Sequence, residues 1–481
     1  MYSFSIYTLG CKLNQLESEA VAASFREAGF TLRPWEEGAD ILVVNTCTVT
    51  SMAEQKARRI IRKLLKDNPA SRVIVTGCYA QLEAEKIAAL EDGKAGSERR
   101  LFVVPGNLKP ALLDLPRRMG GGMEGRDLAA LLEPYAAPDK TTQGKTAPGK
   151  TGQALPRQEE RGDPFAFNAP ELSFHSRPFL KIQDGCDHAC AYCRVSIARG
   201  SSVSLDADTV LRRLRSLEDR GYAEAVLSGV NISQYRDERR GDLGALVAFL
   251  LENTGRIALR LSSLEPEALT GSLLPVLGER RIRPHFHLSL QSGSDRVLAR
   301  MGRPYTAGEA AAAAEKLRAL KDDPFLACDI IAGFPGESGE DFAGTVELCE
   351  GIGFAWIHAF PYSARPETPA FRFKDPVSRR EVSSRVETLN RLAKRGKAAY
   401  VGRWLGRTVE AVPERFAKTS PDGSVPAVSE NYLKVLLSPF PGGESNGGAV
   451  RCRIFPLKGR KSGEDRFDAG GEPLTRDTDI G

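Results

Sequence analysis

A chain of 481 residues, 41% hydrophobic and 27% charged, is too long for a single core and too apolar for a disordered tail, so two or three globular domains are expected. The formal charge of +5 permits a nucleic-acid partner without requiring one. No apolar run approaches the roughly 20 residues of a membrane-crossing helix, and Met1–Thr8 lacks the basic start of a secretory leader. The expectation is a cytoplasmic protein with no membrane partner. In that compartment clustered cysteines signal metal binding or catalysis more often than disulfides.

Residues 1–117 alternate strand and helix signals. Ser3–Thr8, Ile41–Asn45, Arg72–Thr76 and Leu101–Val104 read as strands, with helical periodicity over Leu16–Ala28 and Glu54–Lys66. Continuous apolar runs such as Ile41–Val44 suit parallel strands covered on both faces, so the fold class is α/β, with an N-terminal doubly wound domain. Cys11, Cys47 and Cys78 each follow one of these strands. In a parallel sheet the carboxyl ends lie along one edge, so thiols far apart in sequence can converge there.

Residues 118–172 shift to Gly, Pro, Thr, Lys, Gln and Glu and read as a flexible linker. Gly144–Thr151 formally matches a phosphate-binding loop, but no buried strand precedes it and no helix follows, so the match is set aside.

Residues 173–401 carry six strand signals: Phe179–Gln183, Ala225–Ser228, Ala258–Ser262, His285–Gln291, Leu326–Ala332 and Trp356–Tyr362. They suggest an open, partial (β/α)6 barrel with its chemistry at the carboxyl ends of the strands. The first strand leads into Cys186, Cys190 and Cys193 at CxxxCxxC spacing. Such thiolates favour iron–sulfur or zinc, and three rather than four leave a position open. His188, inside the loop, is a conceivable fourth ligand. Gly229–Asn231, Gln291–Ser294 and Gly333–Glu337 follow later strands on the same barrel face and suggest a cofactor site. Arg199 and Arg303 are read either as anion contacts or as solvated surface residues. Cys328, Cys349 and Cys452 have no partners at ligand spacing and read as packed thiols.

Residues 402–458 have short strands punctuated by Gly and Pro, as in a small β-barrel. Arg403, Arg407, Lys434, Arg451 and Arg453 supply charge for RNA, and Tyr432 a possible stacking face. Residues 459–481 read as a polar, frayed tail.

The cysteine loop, with Tyr192 just before Cys193, resembles the radical S-adenosylmethionine (radical SAM) enzymes. Thr8–Ser18, Asn45–Thr50, Thr76–Gln81, His287–Ser294, Met301–Arg303, Asp329–Glu337 and His358–Pro366 are similar to the methylthiotransferases within that superfamily, and the last module resembles a TRAM domain. Thr8–Ser18 looks most like the MtaB branch, and Lys12–Leu13–Asn14 after Cys11 matches neither sister branch in full. Its sister branches usually have Gln-Met-Asn (isopentenyladenosine in tRNA) or Pro-Lys-Asn (a ribosomal-protein aspartate).

The resemblance implies two 4Fe-4S clusters, one on Cys186, Cys190 and Cys193 and a second on Cys11, Cys47 and Cys78. It also implies S-adenosylmethionine beside Tyr192, Gly229, Asn231, Gln291, Ile331 and Gly333. The implied reaction is radical methylthiolation of C2 of N6-threonylcarbamoyladenosine at position 37 of tRNA. An unidentified electron donor and sulfur source would be further partners. Ser196, Val203 and Glu367 depart from the family pattern. The alternatives are a sister methylthiotransferase or a non-catalytic zinc-containing RNA-binding protein.

Overall fold

The computed structural model describes residues 2–91, 99–119, 130–131, 162–169, 171–414, 416, 423–438, 448–457 and 467–474. Strands β1 (Ser3–Thr8), β2 (Thr31–Leu32), β3 (Ile41–Thr46), β4 (Arg72–Gly77) and β5 (Leu101–Val103) form a parallel sheet in the order β2-β1-β3-β4-β5. Both faces are covered, which explains the unbroken apolar runs. Phe4, Val43 and Ile74 pack with Leu16, Val21 and Phe25 of helix α1 (Lys12–Glu27). Leu42, Val44, Val73 and Val75 pack with Ile61 and Leu64 of helix α2 (Ser51–Asp67).

All six barrel strands of the sequence analysis are present: β6 (Phe179–Lys181), β7 (Glu224–Ser228), β8 (Ala258–Leu261), β9 (His285–Gln291), β10 (Phe325–Ala332) and β11 (Trp356–Pro361). They form two three-stranded parallel sheets, β8-β7-β6 and β9-β10-β11, joined by the single bridges Leu259↔Ile282 and Leu264↔Leu288. Side chains alternate across each strand. Leu180, Leu227, Leu259, Leu288, Ile330 and Ile357 enter the core beneath the helices. Glu224, Arg260, His285, His287, Asp329 and His358 alternate with them and face the lumen.

The small C-terminal barrel is closed by β12 (Thr408–Pro413), β13 (Val425–Ser429), β14 (Lys434–Leu437), β15 (Val450–Phe455) and β16 (Ala469–Pro473). Three expected boundaries need correction. β16 pairs with both β14 and β15, so the expected frayed tail from 459 onward includes a barrel strand. Its Ala469 is buried, as the barrel core requires. The boundary at 401/402 falls inside one helix, Arg379–Trp404, which ties the two modules together. The expected linker 118–172 ends in structure. Phe165, Phe167 and Leu172 are buried, and the Lys181 ammonium sits 5.9 and 5.8 Å from the two phenyl rings. The set-aside match at 144–151 lies outside the described residues.

The small barrel sits against the amino ends of the barrel strands. Buried Arg260 pairs with Glu224 through Nε at 2.9 Å and Nη2 at 3.0 Å, and Nη2 also donates to the Ser429 carbonyl at 3.2 Å. Arg283 bridges Glu224 and Glu410 at 3.0 and 2.9 Å. Tyr432, expected as an RNA stacking face, instead stacks 4.0 Å from His285. Arg403 and Arg407, expected to meet RNA, pair with Asp323 and Asp322. Tyr432 ties the module to the barrel through His285, while the two arginine pairs lie at the surface.

Burial alone would raise the Glu224 pKa, but Arg260, then Arg177 and Arg283, overcome it and hold the carboxyl at about 2 against an ordinary 4.5. Removing one member of a buried charge group leaves the others unpaired. Glu224→Gln is therefore expected to cost about 3–5 kcal/mol of stability near neutral pH, read by chemical denaturation. Because the folded pKa is depressed, the wild-type advantage is complete above pH 4.5 and is lost as pH falls through about 2.

Two cysteine trios around the barrel mouth

Cys11, Cys47 and Cys78 end three adjacent strands, β1, β3 and β4, whose last residues are in register: Thr8 with Asn45, and Thr46 with Gly77. The loops are drawn together by Asn14, whose Nδ2 donates to the Leu9 carbonyl at 2.7 Å and the Thr46 carbonyl at 3.0 Å. Asn45 Nδ2 in turn donates to the Asn14 carbonyl at 2.9 Å. Gly10, with φ of 104°, lies so close to Cys47 that a Cβ there would stand 2.9 Å from its sulfur. Burial, with the charges of Cys78 and Cys11 nearby, pushes the Cys47 thiol up to about 12.

Cys186, Cys190 and Cys193 occupy the loop after β6. Gly185 (φ 70°) has no space for a Cβ, which would overlap the Ser201 carbonyl. The loop is pinned by Cys186 N to Gly200 O at 3.0 Å, Ala191 N to Met301 O at 2.8 Å and Ala370 N to Ala191 O at 2.8 Å. Arg303 Nη1 donates to Cys190 Sγ at 3.2 Å, and its other nitrogens meet Glu265 and Tyr305. Burial, with Cys190 and Cys186 adding to it, raises Cys193 to about 12.

The two trios face one junction. Arg199 Nη1 donates to Glu17 at 3.0 Å and Asp184 at 3.1 Å, while Nη2 donates to Asn14 Oδ1 at 3.0 Å. Lys109 and Lys181 complete the group around Glu17. Near Cys47, Arg365 pairs with Glu54 and donates to Thr48 at 3.1 Å, and Ser51 N donates to Ser363 Oγ at 3.0 Å. Near Cys78, Arg194 stands 3.5 Å from Glu83. Each cysteine of the first trio thus has a tether to the barrel close by. Arg199 and Arg303, read from sequence as anion contacts or surface residues, are engaged in these buried pairs. A cavity of 360 Å³ beside Cys78 is lined by Lys109, Lys181 and Arg199.

The other expected site residues fall into two groups. Tyr192 and Ile331 share an apolar cluster with Met301 and Phe334, and Gly333 N donates to Glu337 at 2.6 Å beside it. Gly229 and Asn231 lie by Cys186. Asn231 N donates to Gln183 Oε1 at 2.9 Å, and its Nδ2 donates to Glu265 Oε1 at 3.4 Å. Gln291 ends β9 with φ of 65° after a register shift against β10. His188 does not close the loop as a fourth ligand. It faces Glu265 and Glu267, the one group of three ligand atoms within 4.8 Å among the described residues. The cysteine trios are wider than this. Tetrahedral zinc brings its sulfurs to about 3.8 Å of each other, so the trios suit a larger cluster better than one zinc ion. Cys328 and Cys349 are buried neighbours, and Cys452 lies in the small-barrel core.

The lumen was not part of the expected site. Trp356, His358 and Phe360 follow one another along one face of β11, with ring contacts from one to the next. His287 lies 5.3 Å from His358 and 3.1 Å from Asp329. The period-two alternation of β11 was visible in the sequence and would have pointed there. Lys12, also missed, is the first residue of α1. Burial, then Arg260 and Arg177, lowers it to about 8, against the opposing pull of Asp329 and Glu224.

Two family models match the chain: "Uncharacterized protein family UPF0004" over residues 3–95 and "Radical SAM superfamily" over residues 180–349. The chain is 41% identical to the threonylcarbamoyladenosine tRNA methylthiotransferase MtaB of Treponema pallidum (strain Nichols), over 94% of this chain and 98% of that one. It is 32% identical to the protein of the same name from Bacillus subtilis (strain 168), over 95% and 94%. Similarity to a tRNA-2-methylthio-N(6)-dimethylallyladenosine synthase of Jannaschia sp. (strain CCS1) is 30%, over 85% and 83%. With both trios and all three modules in place, the chain belongs to the MtaB-type methylthiotransferases of the radical SAM superfamily.

Proposed function

We propose that this chain methylthiolates C2 of N6-threonylcarbamoyladenosine at position 37 of tRNA. The observation that carries the reading is the pair of three-thiol sites facing one barrel mouth across the Arg199 junction. Chain-wide likeness to relatives of that name supports it. No side chain is basic enough to deprotonate an aromatic C–H, so the reaction calls for one-electron chemistry. When bound, a 4Fe-4S cluster on Cys186, Cys190 and Cys193 with S-adenosylmethionine supplies that chemistry, and one on Cys11, Cys47 and Cys78 supplies sulfur.

The chain's own residues prepare the site. Arg303 donates to Cys190 Sγ at 3.2 Å and so orients the thiol toward the mouth side of its loop. Tyr192, Ile331 and Phe334 offer an apolar wall for an adenine, and Asn231 with Gly229 offers polar backbone and side chain beside Cys186. Lys434, Arg451 and Arg453 are exposed on the small barrel and fit a phosphate backbone. The lumen, lined by His287, Asp329 and His358, suits a polar threonylcarbamoyl group better than an apolar isopentenyl one. An electron donor and a sulfur source act as further partners.

Mass spectrometry of tRNA nucleosides tests the reading. Deleting the gene is expected to abolish 2-methylthio-N6-threonylcarbamoyladenosine and accumulate its precursor. Loss of the methylthiolated isopentenyladenosine instead would replace this substrate with the sister one. Protein reconstituted without oxygen is expected to hold about eight irons per chain, and a colourless, iron-free product would overturn the cluster assignment. Cys186→Ala is expected to abolish S-adenosylmethionine cleavage. Cys47→Ala should spare cleavage but stop thiolation, and unchanged product from Cys47→Ala would refute the sulfur role of its trio.

A further inference from the structure

We propose that the solvent face of helix α2 is an RNA-binding surface, along which the phosphate backbone beside the target nucleotide lies as it leaves the barrel mouth. The inference rests on the tRNA reading above and says which surface, besides the small barrel, holds that RNA.

The sequence concentrates charge on this helix. Lys56, Arg59, Arg62, Lys63 and Lys66 are exposed and recur every three or four residues, so they share one face, while Ala57, Ile60, Ile61, Leu64 and Leu65 are buried on the other. Asp67 is the one exposed carboxylate of the helix, and it pairs with Lys63. Among the described residues, the side chains of Lys56, Arg59, Arg62 and Lys66 make no ion pair or hydrogen bond. Like charges three and four residues apart repel, so the face is unfavourable until an anion covers it. The helix Arg379–Trp404 is also basic, but there Arg385, Arg391 and Arg395 pair with Glu381, Glu387 and Glu350.

The position of the helix says which anion. Ser51 N donates to Ser363 Oγ at 3.0 Å, and Arg365 donates to Thr48 at 3.1 Å, both partners lying just past the carboxyl end of β11. α2 therefore starts at the barrel mouth, beside the loop that carries Cys47, and runs away from it over 17 residues, roughly 25 Å. Val49 and Met52, 59% and 70% exposed, stand at the mouth end. The cations follow at intervals of about one helical turn, which a flexible phosphate backbone can track. Apolar surface for an unstacked base, with cations beyond it for phosphates, is the pairing that single-stranded nucleic acid uses. A base drawn into a pocket leaves its backbone at the mouth. That puts a polyanion beside this face, which favours RNA over an acidic protein as its occupant.

The test uses the reconstituted full chain and two anticodon stem-loop RNAs, one with the N6-threonylcarbamoyl group and one without. Kd is measured from about 50 to 200 mM salt, with melting temperature and iron content checked for each protein. The α2 variant combines Lys56→Gln, Arg59→Gln and Arg62→Gln. A control combines Arg391→Gln, Lys394→Gln and Arg395→Gln, which removes the same charge from the exposed face of another helix. The α2 variant is expected to bind about 10- to 100-fold more weakly, with a dependence of log Kd on log salt that is shallower by roughly 2 to 3. The loss is expected to be the same for both RNAs, because phosphate contacts carry no base information. Arg59→Gln alone is expected to lower the slope by about 1, and the charge-conserving set Lys56→Arg, Arg59→Lys and Arg62→Lys to bind as wild type does. An α2 variant with wild-type affinity and slope would overturn the assignment and leave the face to an acidic protein. So would an equal loss in the control, which would reflect net charge alone. A wild-type chain that binds neither RNA would overturn the tRNA reading itself, and this inference with it.

Discussion

Everything in this molecule depends on the buried ion group around Glu17. Its carboxylate, 3% exposed, is shared by Arg199, Lys109 and Lys181, and Arg199 also reaches Asp184 and Asn14. Burial would raise the Glu17 pKa, but the three cations hold it well below the usual carboxylate range. Such a group adds little net stability over apolar packing, but it is intolerant of a missing member. That intolerance fixes register. Asn14 is three residues past Cys11 and Asp184 two before Cys186, so one guanidinium sets the distance between the two sulfur sites.

The rest of the architecture isolates the space between them. The α/β domain closes one side through Arg365, Glu54 and Ser363, and the small barrel closes the far end through Arg260, Arg283 and Tyr432. What remains is a lumen whose walls alternate core and polar side chains strand by strand. Low dielectric strengthens each charge left inside it. The polar residues there include Asp329, His287 and His358, with His287 Nε2 3.1 Å from Asp329 and its ring 5.3 Å from that of His358.

Much of this was legible along the chain. Cysteines after three strands, a CxxxCxxC loop after a fourth, and six strand–helix units are local patterns, and periodicity of 2 or 3.6 reports them directly. Strand limits matched to within a residue or two, with His285–Gln291 and Ser3–Thr8 coinciding. The misses share one cause. Tyr432, Arg403, Arg407, Arg199 and Arg303 are residue types that usually meet solvent or ligand, and here each found a partner on a distant element. The fifth small-barrel strand, Ala469–Pro473, is short and rich in glycine, so only its pairing with β14 and β15 defines it.

The sequence by itself determined the modules and the strand-end and loop positions of the two cysteine trios, because residue type and spacing along one strand or loop are properties of neighbouring residues. The tertiary structure alone decided which arginines are internal and how the two trios face each other. Those facts depend on contacts between residues hundreds of positions apart, where burial and charge pairing, not local pattern, choose the partner.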